Sequence, residues 1–216
     1  MHARPGGRRV VVTGLGGRTP LGDDGRSSWA AALAGECGVG PITRFDPAAF
    51  SVRIAAEVKG AIEVPDLPPK EARRLDRFVL LALAAAHEAF ADAGLAGAFE
   101  GARGGVSIGS GIGGIGTLEE NHHELVRNGP RRVSPFLIPM TIANMASGYV
   151  AIRLGLRGPN LCPVAACASG TQAIGEAARL IERGDADVML AGGAEAALTP
   201  LTLAGFAAMR ALSTRN

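Results

Sequence analysis

Residues 161–183, LCPVAACASGTQAIGEAARLIER, decide how this chain is to be read. From Leu161 to Ala166 the run is apolar enough for a buried strand. Just beyond Cys167, alanine, isoleucine and leucine recur at the spacing of one helix face. The pattern therefore predicts a strand-to-helix turn at Cys167, crowded by Ala165, Ala166, Ala168, Ser169 and Gly170. Side chains this small let a turn be tight and let a substrate come close. A thiol at a helix N-terminus also faces the positive end of the helix dipole and its unpaired N–H groups, which favour thiolate over thiol. Such a thiolate is an acyl-accepting nucleophile. Most free cysteines, however, are small buried hydrophobes. Spacing alone leaves both readings of Cys167 open.

Working outward, the same alternation recurs. Strand signals fall at Arg9–Thr13, Gly105–Gly109, Leu161–Ala166 and Asp187–Ala191, each followed by small residues. Helical patterns fall at Ser27–Ala34, Lys70–Ala93, about Leu118–Val126, Thr141–Leu154, Gly170–Arg183 and Pro200–Leu212. Strands alternating with helices predict an α/β fold with a largely parallel sheet covered on both faces. The stretch from Gly38 to Pro69 is proline-punctuated, with a short strand expected at Ile54–Val58. Gly129–Pro139 reads as a second loop, apolar enough to be buried or to sit in an interface.

Composition narrows the classes. The 216 residues, 47% hydrophobic with 31 glycines, can bury a sizeable core in one domain and suit many tight strand–helix turns. A net charge of +2 with 4% aromatics gives no footprint for nucleic acid. No apolar run reaches membrane-spanning length. The basic start MHARPGGRR leads into RVVVTG without an apolar signal core, which reads as cytoplasmic. Cys37, Cys162 and Cys167 show no paired spacing for a disulfide framework or a zinc site.

Three further motifs invite chemistry. GSGIGGIG at Gly109–Gly116 satisfies GxGxxG twice, directly after a strand. A dinucleotide site also needs a helix opening on that turn and an acidic residue closing the next strand. The polar EENHHE and a proline-rich loop follow instead, so a backbone kept bare for a passing ligand tail is the better reading. Glu119, Glu120, His122 and His123 hold two overlapping ExxH spacings, but a metal pair needs matching helices, and His2 and His87 are isolated; a solvated polar face suffices. His87, among alanines, is expected to be a satisfied packing residue. Lys70, Arg73 and Arg74, spaced i, i+3 and i+4, make one basic helical stripe, with Arg131–Arg132 a second patch and Arg210 a third point. Cations gathered into patches on a near-neutral chain can steer an acidic partner.

With Cys167 in ACASG, the flanking GDADVMLAGGAEAALTP, the upstream GSGIGG and the terminal RALSTRN, the chain resembles the β-ketoacyl-acyl-carrier-protein synthases, elongating condensing enzymes of the thiolase-like superfamily. The likeness runs from VVVTGLG at Val10–Gly16 to Asn216. It implies a thiolase-like fold, of which residues 1–216 form the N-terminal half of a duplicated α/β/α sandwich. It implies that Cys167 takes the acyl chain as a thioester, its own N–H serving as one oxyanion donor. Ile112 matches the position that gates the acyl pocket and Phe206 an aromatic lining it. Phe136, Ile138 and Met140 lie on a segment that in the family reaches across a homodimer to the pocket's end. Lys70, Arg73, Arg74, Arg131, Arg132 and Arg210 match the basic positions that receive acyl carrier protein. Cys162 falls on the strand that pairs across the two-fold, so it and Cys37 are expected to be structural. No cofactor and no metal are implied.

The family's second half-reaction, loss of carbon dioxide from malonyl carrier protein and attack of the carbanion on the thioester, uses two histidines and a lysine from a C-terminal half. None of the four histidines here follows Cys167. The chain is therefore expected to present the nucleophile without completing condensation, as a fragment or incomplete gene product, and to leave apolar surface uncovered. A chain-length-factor-like partner subunit, a polyketide-type ketosynthase and a thiolase are the alternative readings.

Overall fold

The computed structural model describes residues 8–95 and 97–216. The first seven residues, His2 among them, lie outside that description. In chain order the helices are α1 (Gly25–Leu33), α2 (Pro69–Ala72), α3 (Arg77–Asp92), α4 (Ile115–Asn128), α5 (Leu137–Thr141), α6 (Met145–Leu154), α7 (Ser169–Arg183) and α8 (Pro200–Ala208). The strands are β1 (Val39–Pro41), β2 (Ile54–Ala56), β3 (Gly104–Gly109), β4 (Asn160–Leu161) and β5 (Val188–Gly193). β4, β3 and β5 form a parallel sheet in that order, and β1 pairs with β2 antiparallel. This is the predicted α/β architecture, with the sheet mostly parallel.

β3 lies mid-sheet and is buried along its whole length. On one face its Val106 and Ile108 join Phe78, Val79, Leu83, Ala146 and Val150 from α3 and α6 in the main core. Alternation turns Gly105, Ser107 and Gly109 to the other face, where α7 packs on β3 and β5. α7 buries Ser169, Ala173, Ala177 and Leu180, a spacing that keeps one stripe on the sheet. The Ser147 hydroxyl, 2.9 Å from Ile108 N and 2.6 Å from Leu161 O, ties α6 to both β3 and β4. A smaller cluster of Ile42, Val52 and Leu203 joins the β1–β2 ribbon to α8.

Several boundaries differ from the sequence expectation, each for a local reason. Arg9–Thr13 is in no strand, because its segment has no paired neighbour among the described residues, and Val11 and Val12 stay 63% and 78% exposed. The chain there instead presses on α3: a Cβ on Gly14 would lie 2.3 Å from Ala89 O, and one on Gly16 2.1 Å from Ala85 O. The strand expected at Leu161–Ala166 shrinks to Asn160–Leu161. Pro163 has no N–H to give a ladder, and the Ser169 hydroxyl takes the Ala165 N–H at 2.9 Å.

The helix expected from Lys70 to Ala93 is two. Asp76 caps α3 by accepting from Phe78 N, and Arg73–Leu75 turn between the pieces. Lys70, Arg73 and Arg74 thus form no continuous helical stripe. Thr141–Leu154 also divides, where Ile142 becomes extended after α5. Within the expected Gly129–Pro139 loop, Pro130–Arg132 form a 3₁₀ turn and α5 has already begun. α8 stops at Ala208, and Arg210 takes a left-handed φ of 56°.

His87 is a packing residue but not a satisfied one, since its buried Nε2 has no partner among the described residues. Burial, helped by the Arg153 cation and opposed by Asp66, pushes its pKa down. The unfolded chain therefore takes up this proton more readily than the folded one, and His87 works against folding only as pH falls. Stability measured by denaturant titration should hold above the ordinary histidine value of 6.5 and fall as pH drops below it, and His87→Phe should flatten that limb. Asp76 also accepts from Thr117 N at 3.1 Å and Thr117 Oγ1 at 2.7 Å, so one buried carboxylate holds the first turns of α3 and α4. Asp76→Ala should cost roughly 2–4 kcal/mol in a denaturant midpoint experiment, and Asp76→Asn less.

Candidate active site

Cys167 sits on the elbow between β4 and α7, and its side chain is exposed. Ala166 before it takes a left-handed φ of 48°, which folds the chain back on itself. The elbow closes through Ala168 N to Ala165 O at 2.9 Å and Ser169 N to Ala166 O at 3.1 Å. Ser169 completes it, its hydroxyl donating to Ala166 O at 2.7 Å. No side chain caps α7, so beyond Ser169 N its first turn is not closed by a side-chain acceptor and its positive end lies beside the thiol.

Glycines set how close the elbow comes to the sheet. A Cβ on Gly109 would lie 2.5 Å from Ser169 O, and one on Gly193 would lie 2.9 Å from Gly170 Cα. The first turn of α7 therefore rests on the C-terminal ends of β3 and β5.

The Gly109–Gly116 turn runs between this elbow and the α5 segment. On one side, a Cβ on Gly111 would come 3.5 Å from Ala166 O. On the other, Gly114 N donates to Thr141 O at 3.0 Å, and a Cβ on Gly114 would meet Met140 O at 2.1 Å. The structure thus brings Ile112 and the Phe136–Met140 segment to one turn bordering Cys167. Phe206 is 40% exposed on α8, whose buried Leu203 packs on Ile42 and Val52.

A helix, α4, does open on the glycine turn, contrary to expectation. What fills the turn is not a phosphate. The Glu195 carboxylate, just past β5, accepts from Gly111 N at 2.7 Å, Ile112 N at 3.0 Å and Ser110 Oγ at 3.3 Å. Sequence reading passed over Glu195; its only trace was one acid in the small-residue run GGAEAA.

All six cations of the predicted docking patches are exposed, and none is in a salt bridge among the described residues. The Arg74 guanidinium stacks 4.6 Å from the Phe136 ring centroid, which joins the Lys70–Arg74 group to the segment after Arg131 and Arg132. No contact of this kind ties Arg210 to them.

His122 and His123 are exposed on α4 beside an open depression of about 640 Å³ formed with Leu118, Glu119, Pro200 and Leu201. Glu119 Oε1 accepts from Leu201 N at 3.3 Å, fastening α4 to α8.

These features define a class. Residues 7–216 match the family described as Beta-ketoacyl synthase, N-terminal domain, and the chain belongs to that family, with its thiolase-like α/β fold. It is 51% identical over 210 residues to a 3-oxoacyl-[acyl-carrier-protein] synthase 2 of Coxiella burnetii and 50% identical over 210 residues to one of Staphylococcus aureus, covering 97% of this chain in both cases. A β-ketoacyl synthase structure from Burkholderia phymatum STM815 matches 97% of this chain and 52% of its own, with a TM-score of 0.84 at 34% identity. The chain spans about half the length of the curated relatives it matches. No described helix is long and apolar enough to cross a membrane.

Burial, reinforced by the Glu195 charge and only partly offset by a hydrogen bond at the Ser110 backbone, pushes the Cys162 thiol above the ordinary cysteine value. At neutral pH, iodoacetamide should modify Cys167 at least about tenfold faster than Cys162, read by peptide mass spectrometry.

Proposed function

We propose that this chain supplies the acyl-accepting part of a 3-oxoacyl-[acyl-carrier-protein] synthase of fatty-acid elongation. The observation that carries this reading is an exposed thiol held on a tight elbow at an uncapped helix N-terminus, in a chain of this family. The Cys167 thiolate attacks the thioester carbonyl of an acyl carrier protein. The Cys167 N–H faces the developing oxyanion at the N-terminus of α7, and one such donor lowers the barrier by roughly 3 kcal/mol. The carrier's thiolate leaves and takes a proton, and the acyl group stays on sulfur.

The acyl chain then lies along the turn bearing Ile112 toward Phe136, Ile138 and Met140, with Phe206 of α8 assigned to the same lining. Lys70, Arg73, Arg74, Arg131, Arg132 and Arg210 receive the acidic carrier, their charge unspent on internal pairs. In the second half of the proposed reaction, malonyl carrier protein loses carbon dioxide. The resulting carbanion forms the new C–C bond as the C–S bond to Cys167 breaks, which returns the thiolate. The chain spans about half the length of its curated relatives, and we assign the stabilisation of this carbanion to the other half of the family fold. We place the reaction in the cytoplasm, where free thiols stay reduced. The working form is a homodimer, for which the open outer edge of β4, both residues exposed, offers backbone groups to a second copy.

Incubation with an acylated carrier protein should leave the acyl mass on the Cys167 peptide. Cys167→Ala should abolish that adduct, whereas Cys162→Ala should retain it. Acyl transfer undiminished in Cys167→Ala would overturn the reading.

A further inference from the structure

The carboxylate of Glu195 occupies the glycine-rich turn at Ser110–Gly113, where a true dinucleotide fingerprint would hold a phosphate, yet it belongs to the chain itself. Two successive backbone N–H groups, from Gly111 and Ile112, converge on one oxygen, Oε2, at 2.7 and 3.0 Å. That is the geometry of an anion-holding nest, and hydrogen bonds to an ionised acceptor are roughly twice as strong as neutral ones. The Ser110 hydroxyl adds a third contact at 3.3 Å, and itself accepts from Gly113 N at 3.1 Å. Glu195 therefore organises every residue from Ser110 to Gly113.

This turn has little freedom to settle elsewhere. Its Gly111 abuts Ala166, the neighbour of Cys167, with a Cβ clearance of only 3.1 Å to Glu195 Oε2 and 3.5 Å to Ala166 O. Its far end abuts Thr141 and Met140. Ile112, 44% exposed, is the one bulky side chain on the stretch from Gly109 to Gly114. The height of that side chain over the elbow is thus set by how far the Gly111 and Ile112 amides are pulled toward Glu195. No contact places Glu195 on the thiol, so any influence passes through the turn.

We propose that Glu195 is a positioning residue for acyl selectivity: it holds Ile112 at the height that admits a long apolar chain to Cys167. The proposal rests on the acyl-acceptor reading above and adds to it a specificity role for a residue that touches neither the nucleophile nor the acyl chain. A short reagent needs only the exposed sulfur. A long one must also pass Ile112, so the two respond differently to a displaced turn.

The test compares alkylation of Cys167 in this chain by iodoacetamide and by N-dodecyl iodoacetamide, each displacing iodide, followed by peptide mass spectrometry. Wild type should prefer the dodecyl reagent. Glu195→Ala should lose that preference by about tenfold while the iodoacetamide rate stays within about twofold. Glu195→Gln, whose amide oxygen still accepts from both N–H groups, should recover most of it. Gly111→Ala, whose methyl group would crowd the same oxygen at 3.1 Å while Glu195 itself is retained, should reproduce the loss. An unchanged ratio in both Glu195→Ala and Gly111→Ala, or equal loss of both rates, would overturn the positioning role. A wild-type chain indifferent to reagent length would instead overturn the acyl-pocket reading and this proposal with it.

Discussion

Contact between backbone and backbone, with no side chain interposed, governs this structure. Gly109 at the end of β3, Gly193 at the end of β5 and Gly170 in the first turn of α7 approach so closely that a methyl group on Gly109 or Gly193 would overlap main-chain atoms. α7 can therefore rest its N-terminus directly on the strand ends. Everything at the site depends on that seat. It fixes where the elbow emerges, and it brings the Gly109–Gly116 turn alongside, since that turn departs from the same strand end. The core of α3, α6 and β3 supplies a rigid base, with Phe78, Val79, Leu83, Val106 and Val150 fully inaccessible. Such close packing transmits position rather than absorbing it.

Charge is sorted in a second, complementary way. Asp76, Glu57, Glu88 and Glu195 each accept hydrogen bonds from backbone N–H groups of a neighbouring loop or helix start. For Glu57, burial raises the carboxyl pKa, but bonds from Thr43 and the Arg44 amide outweigh it and hold the group below its ordinary value. Of these four acids, only Glu88 forms a salt bridge among the described residues, with Arg18 at 3.0 Å. These acids are spent as braces, Asp76 and Glu57 buried, Glu88 half-buried and Glu195 exposed, while the exposed cations of the patches remain available. A chain with a net charge of only +2 can in this way show a basic face.

The legible parts of the sequence were those with short-range periodicity. Gly105–Gly109, Asp187–Ala191 and Gly170–Arg183 nearly match β3, β5 and α7, because a buried run or a single helical face announces itself within one element. Cys167 was legible for the same reason, lying at the junction of two such patterns. The breaks were not. Asp76 begins α3 and is braced by Thr117, 41 residues away in sequence, and the pattern around Lys70–Ala93 carries no sign of that partner. Arg9–Thr13 has every residue preference of a strand, yet a strand is a relation to a neighbour, and none is present among the described residues. Glu195 was invisible because its meaning lies in the Gly111 and Ile112 amides, 84 and 83 residues away. Val12, Trp29, Ile152 and Val164 are exposed at 78%, 66%, 72% and 60%, and no elemental pattern marks them.

The left-handed backbone at Ala166 narrows what evolution can write beside the sulfur. A residue with a Cβ in that region sits roughly 1–2 kcal/mol above its relaxed state, and a branched Cβ would add to this by crowding its own carbonyl. The elbow also leaves Gly111 only a few ångströms from the same residue. Glycine would relax the bend at the expense of rigidity, whereas valine or isoleucine would pry it open. Mutational drift at this single codon is thereby funnelled toward the smallest side chains, however freely the surrounding surface changes.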